Sequence, residues 1–320
     1  MTEVERRYLR LLRLYPAAYR RARGAEMLAV LMDSTPPDRH RPAWREVRGL
    51  IIGALRVRAG AQGRRTAGQS WRVSLRTAAL ILLIQAAGDT LWQMMFHSDG
   101  GTPLPAQVAV SLTIAAVCVV AVVTVLRGAH LVAAVLTVGA FLLQMAGPQI
   151  VLHFSPPFIT YLSPSWQLPL VVLLLIPLIG RGIVVAPKAL NWMLLVPVLS
   201  VALYAYGTLA QDPSFQTGSR AVWQTLAIAA ILWSVIDERV AMTVGLAFFN
   251  VVVNRALLGL PLMDDWWMWL GLLGDRSVWL YLVGDWSTWR WTLVDVGILA
   301  ILPVLDIVVG ATVAVRRARI

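Results

Sequence analysis

The chain has 320 residues, 58% of them hydrophobic and 14% charged, and a mean hydropathy of +0.69. A soluble domain carries about 25% charged residues. The shortfall, spread over long apolar runs, argues against a wholly soluble fold and points to the bilayer as solvent. Charge is segregated. Residues 1–76 hold 17 Arg against 6 acidic residues, which accounts for the whole net charge of +11; the remainder holds 11 basic and 11 acidic residues. A basic flank beside a transmembrane helix stays cytoplasmic and can bind anionic lipid; nucleic acid is the rival partner. Cys118 is the only cysteine and lies inside an apolar run, so neither a disulfide framework nor a Cys-based zinc site is expected within one chain. Lys188 is the only lysine, which reads as the base composition of a high-GC bacterial genome. The first residues lack an apolar h-region, so no signal peptide is expected.

Residues 1–60 read as three short amphipathic helices. Thr2 and Glu5 fit a capping box. Tyr8, Leu9, Leu11 and Leu12 recur at helical spacing, with Arg6, Arg10 and Arg13 on another face. Pro16 interrupts the helix. A second helix is expected over 17–32, striped by Met27, Leu28 and Leu31, and the run 33–38 breaks it. Pro42 suits the first turn of a third helix whose Trp44, Val47, Ile51 and Leu55 share one face. Gly60 and Gly63 end it, and 61–74 reads as a flexible or interfacial linker. About 60 residues is marginal for independent stability.

From Leu75 onward apolar runs alternate with short polar breaks. The expected spans are 75–96, 105–126, 129–147, 167–186, 190–209, 220–236, 239–260 and 291–314. Each is close to the 17–25 residues that cross about 30 Å of hydrocarbon. The fourth carries Pro177, a potential kink, and Arg181 near its end. The expected fold is therefore all-α: a polytopic bundle of about eight spans over 75–320, preceded by a cytoplasmic helical prefix and linker over 1–74. Eight spans return the C-terminus to the cytoplasm. Arg127, Arg181, Lys188, Arg239, Arg316, Arg317 and Arg319 then fall inside, against Arg220, Arg276 and Arg290 outside.

The outer segment 261–290 is rich in tryptophan. Seven of the 14 tryptophans lie between Trp266 and Trp291, alternating with Asp and Gly. Tryptophan prefers the headgroup level, which suggests short interfacial helices and leaves a re-entrant ninth segment open.

Ionisable groups inside hydrocarbon are costly and default to functional candidates. Asp89, Arg255 and Asp295 all fall within roughly 12 Å of the outer boundary at 1.5 Å rise per residue. Arg255 is the only cation well inside a span, so Asp295 is its economical partner and Asp89 the alternative, with Asn250 and Asn254 nearby. The bland reading is a structural ion pair or snorkelling; the sharp one is a substrate or proton site. Asp306 lies deeper, without an obvious cation at its depth. A neutral carboxyl bonded to a neighbouring helix is its bland reading, and a proton-coupled role the sharp one. His40, His97, His130 and His153 are too scattered for a metal motif. Nucleotide-binding, hydrolase and metalloprotease fingerprints are missing. No enzyme activity, cofactor or metal is expected. Gly49 and Gly53 form a G-x-x-x-G, but in the soluble third helix, where its membrane-dimer meaning does not apply.

One local pattern is more specific. Leu14-Tyr15-Pro16, then Tyr19-Arg20, then Gly24-Ala25-Glu26-Met27 resembles the permease-prefix (HAAS-like) segment of actinobacterial multi-pass membrane proteins, over roughly residues 5–35. The resemblance implies a cytoplasmic docking or regulatory role for the prefix, toward a regulator or an ATPase subunit. It names no substrate. Two functions follow as expectations: a regulatory, sensing or scaffold protein of the cell membrane, or a transporter or permease subunit. Arginines on several faces of the prefix suit electrostatic contacts without base readout, so no specific nucleic-acid partner is expected.

Overall fold

The computed structural model describes residues 2–36, 39, 41–58, 66–96, 105–151, 167–181, 194, 198, 225–259 and 286–318. Every described element is a helix. The prefix contains α1 (Glu3–Leu12), α2 (Ala17–Asp33) and α3 (Trp44–Arg58). The reciprocal Thr2–Glu5 capping box starts α1. Val4, Tyr8 and Leu12 recur every four residues and bury one face of α1 against Leu50 and Ala54 of α3. The Tyr8 hydroxyl, deep in this small core, donates to Glu46 Oε2 at 2.5 Å and meets Thr35 Oγ1 at 3.1 Å. Glu46 also accepts from the Ala43 N–H, closing the start of α3. The Tyr8 hydrogen bond holds the Glu46 carboxyl below its ordinary range.

The buried face of α3 differs from expectation. Trp44 is 73% exposed, and Leu50 and Ala54 are the residues that enter the core. Tyr15 explains the rotation. Its ring stacks on Tyr19 at 5.3 Å between centroids, and its hydroxyl occupies the space that a Cβ on Gly53 would need. Gly53 therefore admits the tyrosine that precedes Pro16, and this contact turns Leu50, Gly53 and Ala54 toward α1.

The rest of the chain contributes α4 (Ala67–Phe96), α5 (Pro105–Leu126), α6 (His130–Val151), α7 (Gln167–Leu175), α8 (Glu238–Gly259) and α9 (Trp286–Ala318), with a further helical stretch at 225–233. The expected linker 61–74 is helical from residue 67. Thr66 and Gln69 cap α4 reciprocally, and Ser70, Val73 and Ser74 are buried. The T-x-x-Q spacing of this capping box is a helix-start signal that the polar linker reading passes over. α5 ends where expected, in a Schellman motif: Gly128 at φ 82° turns the chain, and the Ala129 and Gly128 N–H groups donate to Thr124 and Val125 carbonyls. The fourth expected span is cut short. α7 stops at Leu175, tightens into a 3₁₀ turn around Pro177, and bends at Gly180 with φ 70°. The last helix begins at Trp286, five residues before the expected start at 291, so Trp286 and Trp289 are continuous with α9. Apart from residues 194 and 198, the span expected at 190–209 lies outside the described residues, as do the segment 261–285 and His40, His97 and His153.

Among the described helices α4 is central. It packs against α5 and α7 on one side and α8 and α9 on the other. Leu82 and Leu83 join Ile114, Cys118, Leu168 and Leu175 in one apolar cluster, while Ile81 joins Val240, Val244 and Phe248 in a second. Large apolar side chains are exposed along the helices: Val119 and Val120 on α5, Leu131 and Val135 on α6, Val304 and Val308 on α9. Buried polar side chains include Thr77, Thr90, Thr137, Thr243, Asn250 and Asp306. Thr77, Thr90 and Thr137 return their hydroxyl protons to the carbonyl four residues earlier, which lets them sit in an apolar interior. Among the described residues one helix, Val108–Leu126, is long and apolar enough to cross a membrane by length and composition; His130–Met145 and Gln167–Leu178 are shorter apolar helices.

α8 and α9 run antiparallel in close contact. A Cβ on Gly245 would stand 2.8 Å from the Pro303 carbonyl oxygen and 2.9 Å from Asp306 Cβ; one on Gly310 would stand 2.6 Å from Met242 Cγ and 3.0 Å from the Glu238 carbonyl oxygen. Glycines at these positions let the two backbones approach closely.

Candidate functional site

The densest polar assembly among the described residues lies at one end of the bundle, around the turn 234–237. Asp237 stands at the N-cap of α8. Its Oδ1 accepts from the Arg239 backbone N–H at 3.1 Å and from Arg239 Nε at 2.7 Å, and its Oδ2 accepts from Arg239 Nη2. Both side chains are sealed, at 2% exposure for Arg239 and 1% for Asp237. One carboxylate thus caps the helix and neutralises a buried guanidinium in bidentate geometry. Arg239, expected as an exposed loop charge, is instead a buried member of an ion pair.

Glu238 is the next acid. It accepts from Ser70 Oγ of α4 at 2.9 Å and pairs with Arg317 near the end of α9. Arg317 Nη2 also donates to the Val235 carbonyl at 2.7 Å. That same carbonyl receives Arg56 of the prefix, through Nε at 3.2 Å and Nη2 at 2.9 Å. Ser74 of α4 donates to the Arg239 carbonyl at 3.2 Å. One turn therefore gathers groups from α3, α4, α8 and α9. Arg58, two residues beyond Arg56, donates to the Leu14 carbonyl in the Leu14-Tyr15-Pro16 segment. The prefix motif and the bundle are joined through two arginines of one helix. Nearby, Arg76 of α4 donates to the Leu126 carbonyl at 2.8 Å, so the start of α4 and the end of α5 meet at this end too.

The polar candidates of the expected spans divide. Asp89 pairs with Gln167 at the start of α7, whose Nε2 donates at 2.5 Å. Gln85, one turn earlier, and Gln167 each keep a buried amide oxygen without a partner among the described residues. Asn250 is buried on α8. Asp306 is 0% exposed, and neither carboxylate oxygen has a hydrogen-bond partner among the described residues. The side chains of Asn254, Arg255 and Asp295 lie outside the described residues, though their helices are described. Helix register still bears on them. Gly245 faces residues 303–307, and ten residues onward along α8 and ten back along α9 reach Arg255 and Asp295. At 1.5 Å per residue both lie about 15 Å from the glycine contact, at one level. Folded yield in mild detergent should then fall less for Arg255→Leu combined with Asp295→Leu than the two single losses predict. Simple addition of the losses would mean that the two do not pair; Asp89→Leu is the control for the alternative partner.

Sequence reading missed Asp237, Glu238, Ser70 and Arg56. The available signal was Asp-Glu-Arg at a helix start, the pattern of an N-cap with acidic first turn. Among the described residues no group of three or more His, Cys, Asp or Glu side chains could hold a metal. No family model matches the chain, and neither a curated protein nor a solved structure matches it, so the prefix resemblance rests on its motif alone.

Proposed function

We propose that this chain is a multi-pass membrane protein of about eight spans with a regulatory or scaffold role, whose basic cytoplasmic prefix docks a partner and transmits that state to the bundle. The observation that carries this reading is the Val235 carbonyl shared by Arg56 of the prefix and Arg317 of the last helix. A partner that pulls on α3 acts on the turn that starts α8 and on the end of α9 together. The membrane setting is supported by the apolar side chains exposed along α5, α6 and α9, together with polar side chains such as Thr243, Asn250 and Asp306 buried among the apolar clusters.

Two measurements test it. Reporter fusions after Arg127 and Arg317 are expected to read cytoplasmic, and after Asp212 extracytoplasmic; a tail on the outside sinks the eight-span arrangement. Arg56→Ala in the full chain is expected to leave the bundle folded while hydrogen exchange rises together in the last turn of α3 and the first turn of α8. Losing two hydrogen bonds to one partly exposed carbonyl should cost about 1–2 kcal/mol locally. A change confined to α3 would mean that the prefix is not coupled. Affinity capture of the full-length protein in mild detergent then identifies what the prefix holds.

A second reading, a transporter or permease subunit, draws support from Asp306. A fully buried carboxyl without a partner among the described residues is costly in hydrocarbon, and such groups mark ion or proton paths.

A further inference from the structure

At the polar end of the bundle the described acids are all buried, whereas the cations divide: Arg76 and Arg239 are buried and others are not. The described acids there, Asp237 and Glu238, are buried and each is already matched, by Arg239 and by Arg317 with Ser70. Cations remain toward the outside. Arg127 and Arg316 are exposed, and Arg72 on the first turns of α4 is half-buried. These three belong to one end of the molecule. Arg76 links the start of α4 to the end of α5, Ser70 and Ser74 link it to the start of α8, and Arg317 links the end of α9 to the same turn. Each exposed cation also closes an apolar row. Val119, Val123 and Leu126 are exposed along α5 immediately before Arg127, and Val308 and Val315 along α9 immediately before Arg316. Across the α5–α6 turn the apolar surface resumes at Leu131.

We propose that Arg72, Arg127 and Arg316 form a collar that binds the headgroups of anionic phospholipids at the rim of the bundle. This rests on the membrane reading above and adds its lipid partner. The apolar rows fit acyl chains, and the arginines that end them stand at headgroup level, where guanidinium pairs phosphate in a two-pronged hydrogen-bonded geometry. Because the described acids of this end are buried and neutralised, they do not offset the attraction of the rim for negative charge. The prefix arginines Arg6, Arg10 and Arg13 lie on a separate helix or at its end and are not part of the collar.

The test uses full-length protein in nanodiscs of phosphatidylcholine alone or mixed equally with phosphatidylglycerol, reading lipid retained after mild delipidation by native mass spectrometry. Wild type is expected to enrich phosphatidylglycerol, by about fivefold per engaged arginine. The triple variant Arg72→Gln, Arg127→Gln, Arg316→Gln is expected to lose at least about tenfold of that enrichment. The triple variant Arg6→Gln, Arg10→Gln, Arg13→Gln is expected to keep it. If the triple glutamine variant fails to fold in phosphatidylcholine, the three single variants Arg72→Gln, Arg127→Gln and Arg316→Gln carry the test, each expected to lose part of the enrichment. Enrichment that survives in the glutamine variants, or that disappears in the prefix variant, overturns the collar. Alkaline carbonate extraction separates this from failure of the membrane reading: release into the soluble fraction sinks that reading, whereas membrane retention without lipid preference sinks only the collar.

Discussion

Leucine at position 237 is expected to destabilise the full-length protein more than leucine at 239, and leucine at both positions less than either alone. The reason is the double duty of one carboxylate. Removing Arg239 leaves the Asp237 carboxylate buried, but it still holds the backbone N–H of residue 239 at the positive end of α8. Removing Asp237 strips the cap and leaves a guanidinium at 2% exposure with no counter-charge. Breaking a buried pair from one side costs about 3–5 kcal/mol, with the Asp237→Leu change at the upper end. The double replacement removes both desolvation penalties and keeps only the lost cap, about 1 kcal/mol. Asp237→Asn separates the two duties, because asparagine caps nearly as well as aspartate while removing the negative charge. Unfolding midpoints in mild detergent give the four values. Losses that add would mean that the pair is wet and contributes little.

Much of the helical layout was legible because it depends on neighbours along the chain. The Thr2–Glu5 cap, the start of α5 at Pro105, the end of α5 before Gly128 and the kink at Pro177 each follow from a few adjacent residues. Burial of Met27, Leu28 and Leu31 on the stripe of α2 is only partial, as expected of a marginal prefix core. What was not legible depends on what lies opposite. Trp44 reads as a core residue by spacing, yet Tyr15 decides which side of α3 faces inward. Asp89 finds Gln167 across 78 positions, a partner no periodicity names. Arg239 reads as a loop cation until Asp237, two residues before it, folds back over it. A two-residue spacing puts side chains on different sides of a helix, but Asp237 precedes the helix and is free to turn. The cap at Thr66 and Gln69 is a different case: its signal was local and complete, and the polar composition of 61–74 hid it.

The approach of α8 to α9 also governs how Asp306 is held, which makes the glycines between them the most demanding packing positions of the described bundle. Gly245→Ala would drive a methyl to 2.8 Å from the Pro303 carbonyl oxygen, a backbone atom that cannot rotate away, and to 2.9 Å from Asp306 Cβ. The helices must separate. Overpacking of this kind costs about 1–3 kcal/mol, and a β-branched valine is expected to exceed that. Gly310→Ala should cost less, because its nearest neighbour is Met242 Cγ, the middle of a flexible side chain, although the Glu238 carbonyl at 3.0 Å still resists. At Gly139 in α6 and Gly297 in α9 an added methyl would meet nothing within 4 Å among the described residues, so alanine there is expected to be neutral or to stabilise by up to about 1 kcal/mol through helix propensity. The order Gly245 worse than Gly310, with Gly139 and Gly297 harmless, is checked by unfolding midpoints of the four alanine variants in one detergent. Equal effects at all four sites would mean that α8 and α9 do not meet at Gly245. Separation of the pair would also admit water to the Asp306 carboxyl, so Gly245→Ala combined with Asp306→Leu should recover part of the loss. Recovery ties the two residues to one contact; its absence would mean that the glycine serves backbone packing alone.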